Sequence, residues 1–147
     1  MTIAHLRRDL LGAGTLLFVA GCLGEGTGVD VPSFGPGTEI QGERVSALFV
    51  QVQPNPPDLG ENRWSLRITD DDGAPRTDLA VTLEPFMPAH GHGTTPSRFP
   101  ATPGAEEGSY DCGPFDLFMP GTWEFTLTVD AAEEFTDAII WSLDVEG

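Results

Sequence analysis

The residues best suited to chemistry lie in one short segment, Met87-Pro-Ala-His-Gly-His92. Histidine imidazoles bind copper, zinc and nickel, whereas the thioether of methionine is a soft donor that favours Cu(I). In an extended segment His90 and His92 project to the same side of the chain, and the glycine after each lets the backbone bend around an ion. Two histidines are fewer than the three or four ligands of a tight site, so further donors are required.

A second methionine offers such a donor. The tripeptide Phe-Met-Pro occurs at 86–88 and again at 118–120, each time at the end of an apolar run. If one short strand at 97–101 lies between these runs, the chain reverses twice and both motifs emerge at the same end of the fold. Met119 would then join the three donors of the first segment. The alternative is that proline only ends the strands, that Met119 packs under Trp123, and that the histidines belong to a polar loop.

Short apolar runs separated by turn residues must position these side chains. Apolar and polar residues alternate within them at the two-residue period of a β-strand, as in Trp64, Leu66 and Ile68. The runs cover approximately residues 44–53, 63–69, 79–87, 97–101, 109–119, 122–129 and 138–145. This spacing predicts an all-β fold, an immunoglobulin-like antiparallel β-sandwich of about seven strands.

A tyrosine and a cysteine support this fold class. Tyr110 precedes Cys112 by two residues, which is the spacing of the tyrosine corner in immunoglobulin-like sandwiches. The first cysteine of the usual disulfide between the sheets is missing. Cys112 is therefore expected to be a small buried apolar side chain, with a role as a ligand as the alternative.

The N-terminal residues are typical of export. Residues 1–21 contain a basic pair and an apolar run too short to span a bilayer, and they end in Val-Ala-Gly before Cys22. They resemble a lipoprotein signal peptide, after which Cys22 would carry the lipid; an ordinary cleaved signal is the alternative. Residues 22–42, rich in glycine and proline, are predicted to form a flexible tether, and residues 43–147 the folded domain.

Composition restricts the partners. The formal net charge is −16 and the chain has no lysine, so binding to nucleic acid or to an anionic lipid surface is not expected. Membrane attachment would have to come from a lipid on Cys22. No nucleophile–base pair, phosphate-binding loop or zinc-protease motif is present in the sequence, so an enzyme is not expected.

Four motifs between residues 44 and 146 resemble the YtkA-like domain, which is related in pattern to the FixH-like family. The motifs are Asp72-Gly-Ala-Pro75, Met87-Pro-Ala-His-Gly-His92, Gly108-Ser-Tyr110 and Met119-Pro-Gly-Thr-Trp123. Family members are small β-sandwich domains, often exported or membrane-attached. FixH-like members are associated with a cation pump and with assembly of a copper-containing oxidase, so the resemblance implies copper handling. In contrast to those members, we expect a lipid anchor on Cys22 in place of a transmembrane anchor, and no fused pump.

Carried over residue by residue, the resemblance makes Met87, His90, His92 and Met119 the candidate copper ligands. We therefore expect an exported, lipid-anchored domain that holds or passes a copper ion in the bacterial cell envelope. It would face the periplasm, with the outer membrane slightly favoured because Leu23 follows Cys22 in place of aspartate. The alternative is a non-metal interaction module that binds another envelope protein.

Overall fold

Two β-sheets face each other across an apolar core in the computed structural model, which describes residues 29–30 and 34–147. The prediction of an all-β sandwich is confirmed. In the described part, the strands are β1 (Val29–Asp30), β2 (Glu39–Gln41), β3 (Val45–Gln53), β4 (Gly60–Asp70), β5 (Ala80–Met87), β6 (His92–Gly93), β7 (Phe99–Pro100), β8 (Thr102–Pro103), β9 (Ser109–Leu117), β10 (Gly121–Asp130) and β11 (Thr136–Val145). Among these residues no helix has the length and apolarity needed to cross a membrane.

The strand order is that of an immunoglobulin-like fold. One sheet runs β2-β3-β4-β9-β8, and the other runs β1-β11-β10-β5-β6 with β7 also paired to β5. Strands β3, β4, β9 and β8 correspond to the four-stranded sheet of an immunoglobulin constant domain, and β11, β10 and β5 to its three-stranded sheet. The described pairs are antiparallel except β1 with β11.

Apolar side chains at every second position of the strands form the core. Trp123, Phe125 and Leu127 are all fully buried on the inner face of β10, as the two-residue period predicts. From the opposite sheet Trp64 lies 4.9 Å from Phe125 between ring centroids. Each fully buried large apolar side chain contributes about 1.5–3 kcal/mol relative to an exposed one, so this aromatic layer dominates the attraction between the sheets.

The hydroxyl of Tyr110 stabilises the link through which the chain crosses from β4 in one sheet to β5 in the other. It donates to the carbonyl oxygen of Arg76 at 2.9 Å and accepts from the backbone N–H of Leu79 at 3.2 Å. These two residues lie in the link from β4 to β5, and burial of Tyr110 raises its pKa. The standard tyrosine corner lies near the start of the sixth immunoglobulin strand, whereas Tyr110 lies on β9, the equivalent of the fifth. The predicted position of the corner is therefore wrong, although the hydroxyl makes the same kind of bond.

The folded domain begins before residue 43. Strand β2 pairs with β3, and Ile40 within it is 6% exposed. Phe34 is equally buried, with its ring centroid 4.6 Å from that of Phe49. The prediction of a flexible tether extending to residue 42 is therefore wrong at its C-terminal end, because isolated apolar residues among glycines pack into the core. The predicted signal peptide, 1–21, and Cys22 lie outside the described residues.

Candidate metal centre

Both Phe-Met-Pro motifs lie at the same end of the sandwich. Strands β5 and β9 run towards this end, while β7 and β8 between them run away from it, since each is antiparallel to its neighbour. We call this end the histidine pole and define it by residues 88–92 and 118–120. The motifs also approach each other closely, because a Cβ atom on Gly121 would lie 3.2 Å from Cε of Met87.

The first motif forms a tight hairpin between β5 and β6. The carbonyl oxygen of Met87 accepts from the backbone N–H groups of His90 at 3.1 Å and Gly91 at 2.9 Å. Pro88 follows Met87 where its fixed φ suits the turn, and Gly91 has a φ of +70°, the left-handed region that glycine adopts without strain. Proline and glycine thus shape the turn, and neither role requires the histidine side chains.

The hairpin places His92 on the same face of the sheet as Met87. His92 pairs with Met87 across the strands, and directly facing residues of an antiparallel pair project on the same side of the sheet. Met87 is 1% exposed and points between the sheets. The exposed side chain of His92 therefore lies on the sheet face that carries Met87.

The second histidine lies beside the first. The imidazole centroids of His90 and His92 are 5.7 Å apart, with an angle of 61° between the rings, and both residues are exposed. Imidazole nitrogens bind a first-row metal ion at about 2 Å, so two rings that share one ion have centroids up to about 6 Å apart. The separation of the two rings is compatible with one shared ion.

The second motif contacts the hairpin through its phenylalanine. The ring of Phe118 is stacked on His92, with centroids 5.7 Å apart and 13° between the planes. Met119 is partly buried against the core, and its carbonyl oxygen accepts from the indole Nε1–H of Trp123 at 2.9 Å. The structure therefore brings the two histidines together, pairs His92 with Met87 across the hairpin, and places Met119 in the turn next to Phe118.

No further type of donor adds to the two histidines and two methionines in the part of the chain that the structure describes. Within the described residues there is no group of three or more histidine, cysteine, aspartate or glutamate side chains able to hold a metal ion. Cys112 faces the core on β9 and is 2% exposed, so the expectation of a buried apolar side chain is confirmed. Burial raises the pKa of its thiol to about 12, which keeps it protonated at neutral pH.

Comparison with known proteins identifies the family. A family model described as YtkA-like matches residues 43–128, which include both Phe-Met-Pro motifs and both histidines. The chain belongs to the YtkA-like family. The resemblance predicted from the motifs is thereby confirmed.

Among solved structures, the YtkA-like domain is similar to the crystal structure of a DUF4426 family protein from Pseudomonas aeruginosa PAO1. The sequences are 16% identical, the match covers 74% of this chain and 96% of that chain, and the TM-score is 0.49. No curated protein matches the sequence at a significant level.

Sequence reasoning missed Phe118 as a neighbour of the site in this YtkA-like domain. The repeated tripeptide drew attention to its methionines as donors, although phenylalanine was repeated as well. The signal available in the sequence was an aromatic residue at the end of an apolar run, directly before Met119 and Pro120, and the structure leaves this side chain 52% exposed. Only the coordinates show that its ring covers His92.

Proposed function

We propose that this YtkA-like domain binds Cu(I) at the histidine pole and holds it for transfer to another protein of the bacterial cell envelope. The observation that supports this most directly is the pair of exposed imidazoles 5.7 Å apart, one of them on the residue that pairs with the buried Met87 across the hairpin. An open site at a loop suits exchange of an ion, because a closed cage releases its metal slowly. The copper ion is the cargo of such a domain, and no bond-making chemistry is proposed.

The residue types match a soft ion. His90 and His92 would supply imidazole nitrogens from the exposed side, and Met87 and Met119 would supply thioether sulfur from the side of the core. Thioethers select Cu(I) over zinc and over hard cations. The net charge of −16 raises the local concentration of cations around the whole domain without choosing among them.

An anaerobic titration against a competing Cu(I) chelator tests the imidazoles. We expect the purified domain to bind one Cu(I) and the variant His90→Ala/His92→Ala to bind none in the same range. Ser97→Ala is a matched control, since Ser97 is an exposed residue of the neighbouring loop. Equal binding by the double variant and the unchanged protein would overturn the proposal.

Substitution by leucine tests the thioethers. Met87→Leu and Met119→Leu keep most of the side-chain volume, and exchanges of this kind usually cost less than about 1.5 kcal/mol of stability. We expect each to weaken Cu(I) binding while leaving Zn(II) binding nearly unchanged, because only the soft donor is lost. An unchanged Cu(I) affinity in both variants would remove sulfur from the site.

We further propose that the chain is exported and anchored through a lipid on Cys22, facing the periplasm. The motif before Cys22 supports this proposal. Metabolic labelling with a radioactive fatty acid is expected to label the unchanged protein, and Cys22→Ser is expected to abolish the label. Label retained by that variant would contradict lipidation at this position.

A second function, a non-metal protein-interaction module, is favoured by exposed apolar side chains at the same pole. Phe118 and Leu59 are 52% and 40% exposed, and they are neighbours because Gly60 pairs with Leu117. Capture of envelope proteins with and without a copper chelator separates the two functions. A partner retained equally under both conditions favours the interaction module, and a partner lost with the chelator favours copper transfer.

A further inference from the structure

Phe118 occupies an unusual place for a large apolar side chain. More than half of it is exposed, so burial in the core does not explain its orientation. Its ring nevertheless lies nearly parallel to the imidazole of His92, at 13° and 5.7 Å between centroids. This is the offset-stacked geometry that aromatic pairs prefer. The contact joins the two sheets, because Phe118 follows β9 and His92 belongs to β6.

The position of Phe118 is fixed from the core. The fully buried Trp123 presents its ring to Phe118 at 5.6 Å and 82°, an edge-to-face contact. The indole of the same tryptophan donates to the carbonyl oxygen of Met119, the next residue in the turn. A chain of contacts therefore runs from the core through Trp123 and Phe118 to His92.

We propose that Phe118 is a positioning residue that holds the imidazole of His92 and covers one face of the metal centre. This inference rests on the proposed function, since it concerns the same site. A phenyl ring on one face of His92 restricts water on that side. Cu(I) accepts a dry site of few soft ligands, whereas an open zinc site typically keeps a bound water. Phe118 thus increases the preference of the site for Cu(I) over Zn(II).

The chain contains its own matched control. Phe86 stands in the same place of the first Phe-Met-Pro motif and is 37% exposed. It pairs with Gly93 and alternates with the inward-facing Met87, so its side chain points to the outer surface of the sheet. Phe86→Ala removes the same atoms as Phe118→Ala without removing the ring on His92.

A measurement on the metal-free protein tests the stacking. The ring current of Phe118 shifts the NMR signals of the His92 imidazole protons. We expect these signals to move towards free-histidine values in Phe118→Ala, and to remain in place in Phe86→Ala and Phe118→Tyr. Signals that do not move in Phe118→Ala would overturn the positioning role.

Competition titrations with Cu(I) alone and Zn(II) alone test the consequence for binding. We expect Phe118→Ala to lower Cu(I) affinity by about three- to tenfold, the size of one stacked aromatic pair, with little change for Zn(II). Phe118→Tyr keeps the aromatic ring and should bind Cu(I) with the affinity of the unchanged protein. An unaltered Cu(I)-to-Zn(II) ratio in Phe118→Ala, or an equal loss in Phe86→Ala, would overturn the inference.

The two proposals fail in different ways. If His90→Ala/His92→Ala binds Cu(I) like the unchanged protein, the proposed function is wrong, and with it the selective role of Phe118. If Cu(I) binding requires the histidines but Phe118→Ala binds with the same affinity and selectivity, only the inference about Phe118 is wrong.

Discussion

The same tripeptide, Phe-Met-Pro, differs in burial and in surroundings at its two positions. In the first copy Met87 is 1% exposed and forms part of the core, while Phe86 lies on the outer surface. In the second copy Phe118 is 52% exposed beside His92, and Met119 only partly enters the core. The methionine is therefore the core residue of the first copy, whereas the exposed phenylalanine of the second copy makes the contact with His92.

The difference follows from where each copy lies relative to the end of its strand. Strand β5 includes Met87, so the alternation of strand side chains forces methionine inward and phenylalanine outward. Strand β9 ends at Leu117, one residue before the second copy begins. Beyond that point the indole of Trp123 holds the turn, and the side chain of Met119 is only partly buried.

The largest difference in stability between the two copies is expected when their methionines are replaced. Met87→Ala should lower the free energy of unfolding by about 2–5 kcal/mol, because it removes a fully buried side chain and leaves a cavity. Met119→Ala should cost about 1 kcal/mol, since less apolar surface leaves water there. Equilibrium unfolding in urea measures both. Equal losses would show that the two methionines are equivalent core residues.

Much of the fold was predictable because burial on one face leaves a two-residue period. The run 122–129 identifies β10, and the run 138–145 identifies β11, each within two residues of its observed ends. The position of both motifs at one pole was also predictable, since it requires only that the chain reverse direction twice between them.

The remaining features depend on contacts between distant segments. Phe34 and Ile40 stand alone among glycines and prolines and show no periodicity, so nothing local indicates that they are buried. Strand β6 has two residues, His92 and Gly93, and it exists through its pairing with β5. The candidate donors were predictable from residue chemistry, whereas the ring over His92 depends on a turn from the opposite sheet.

A smaller effect is expected from the glycines that complete the two turns. Gly121 has a φ of +126°, and a Cβ there would press on Cε of Met87 at 3.2 Å, so Gly121→Ala should cost about 2–3 kcal/mol. Gly91 has a φ of +70° with open space around it, so Gly91→Ala should cost about 1 kcal/mol. Thermal unfolding of both variants checks the order. A greater loss for Gly91→Ala would contradict the close contact between the motifs.

The smallest effect is expected from the phenylalanines. Phe86→Ala and Phe118→Ala should each change the free energy of unfolding by about 1 kcal/mol, because 37% of Phe86 and 52% of Phe118 remain in water and an exposed aromatic pair adds little beyond its buried area. Urea unfolding with an unchanged denaturant slope is the measurement. A loss of several kcal/mol in Phe118→Ala alone would make the second copy a core anchor like the first. Any change in copper binding by that variant would then report a loosened fold. Phe118 would in that case be a core residue like Met87.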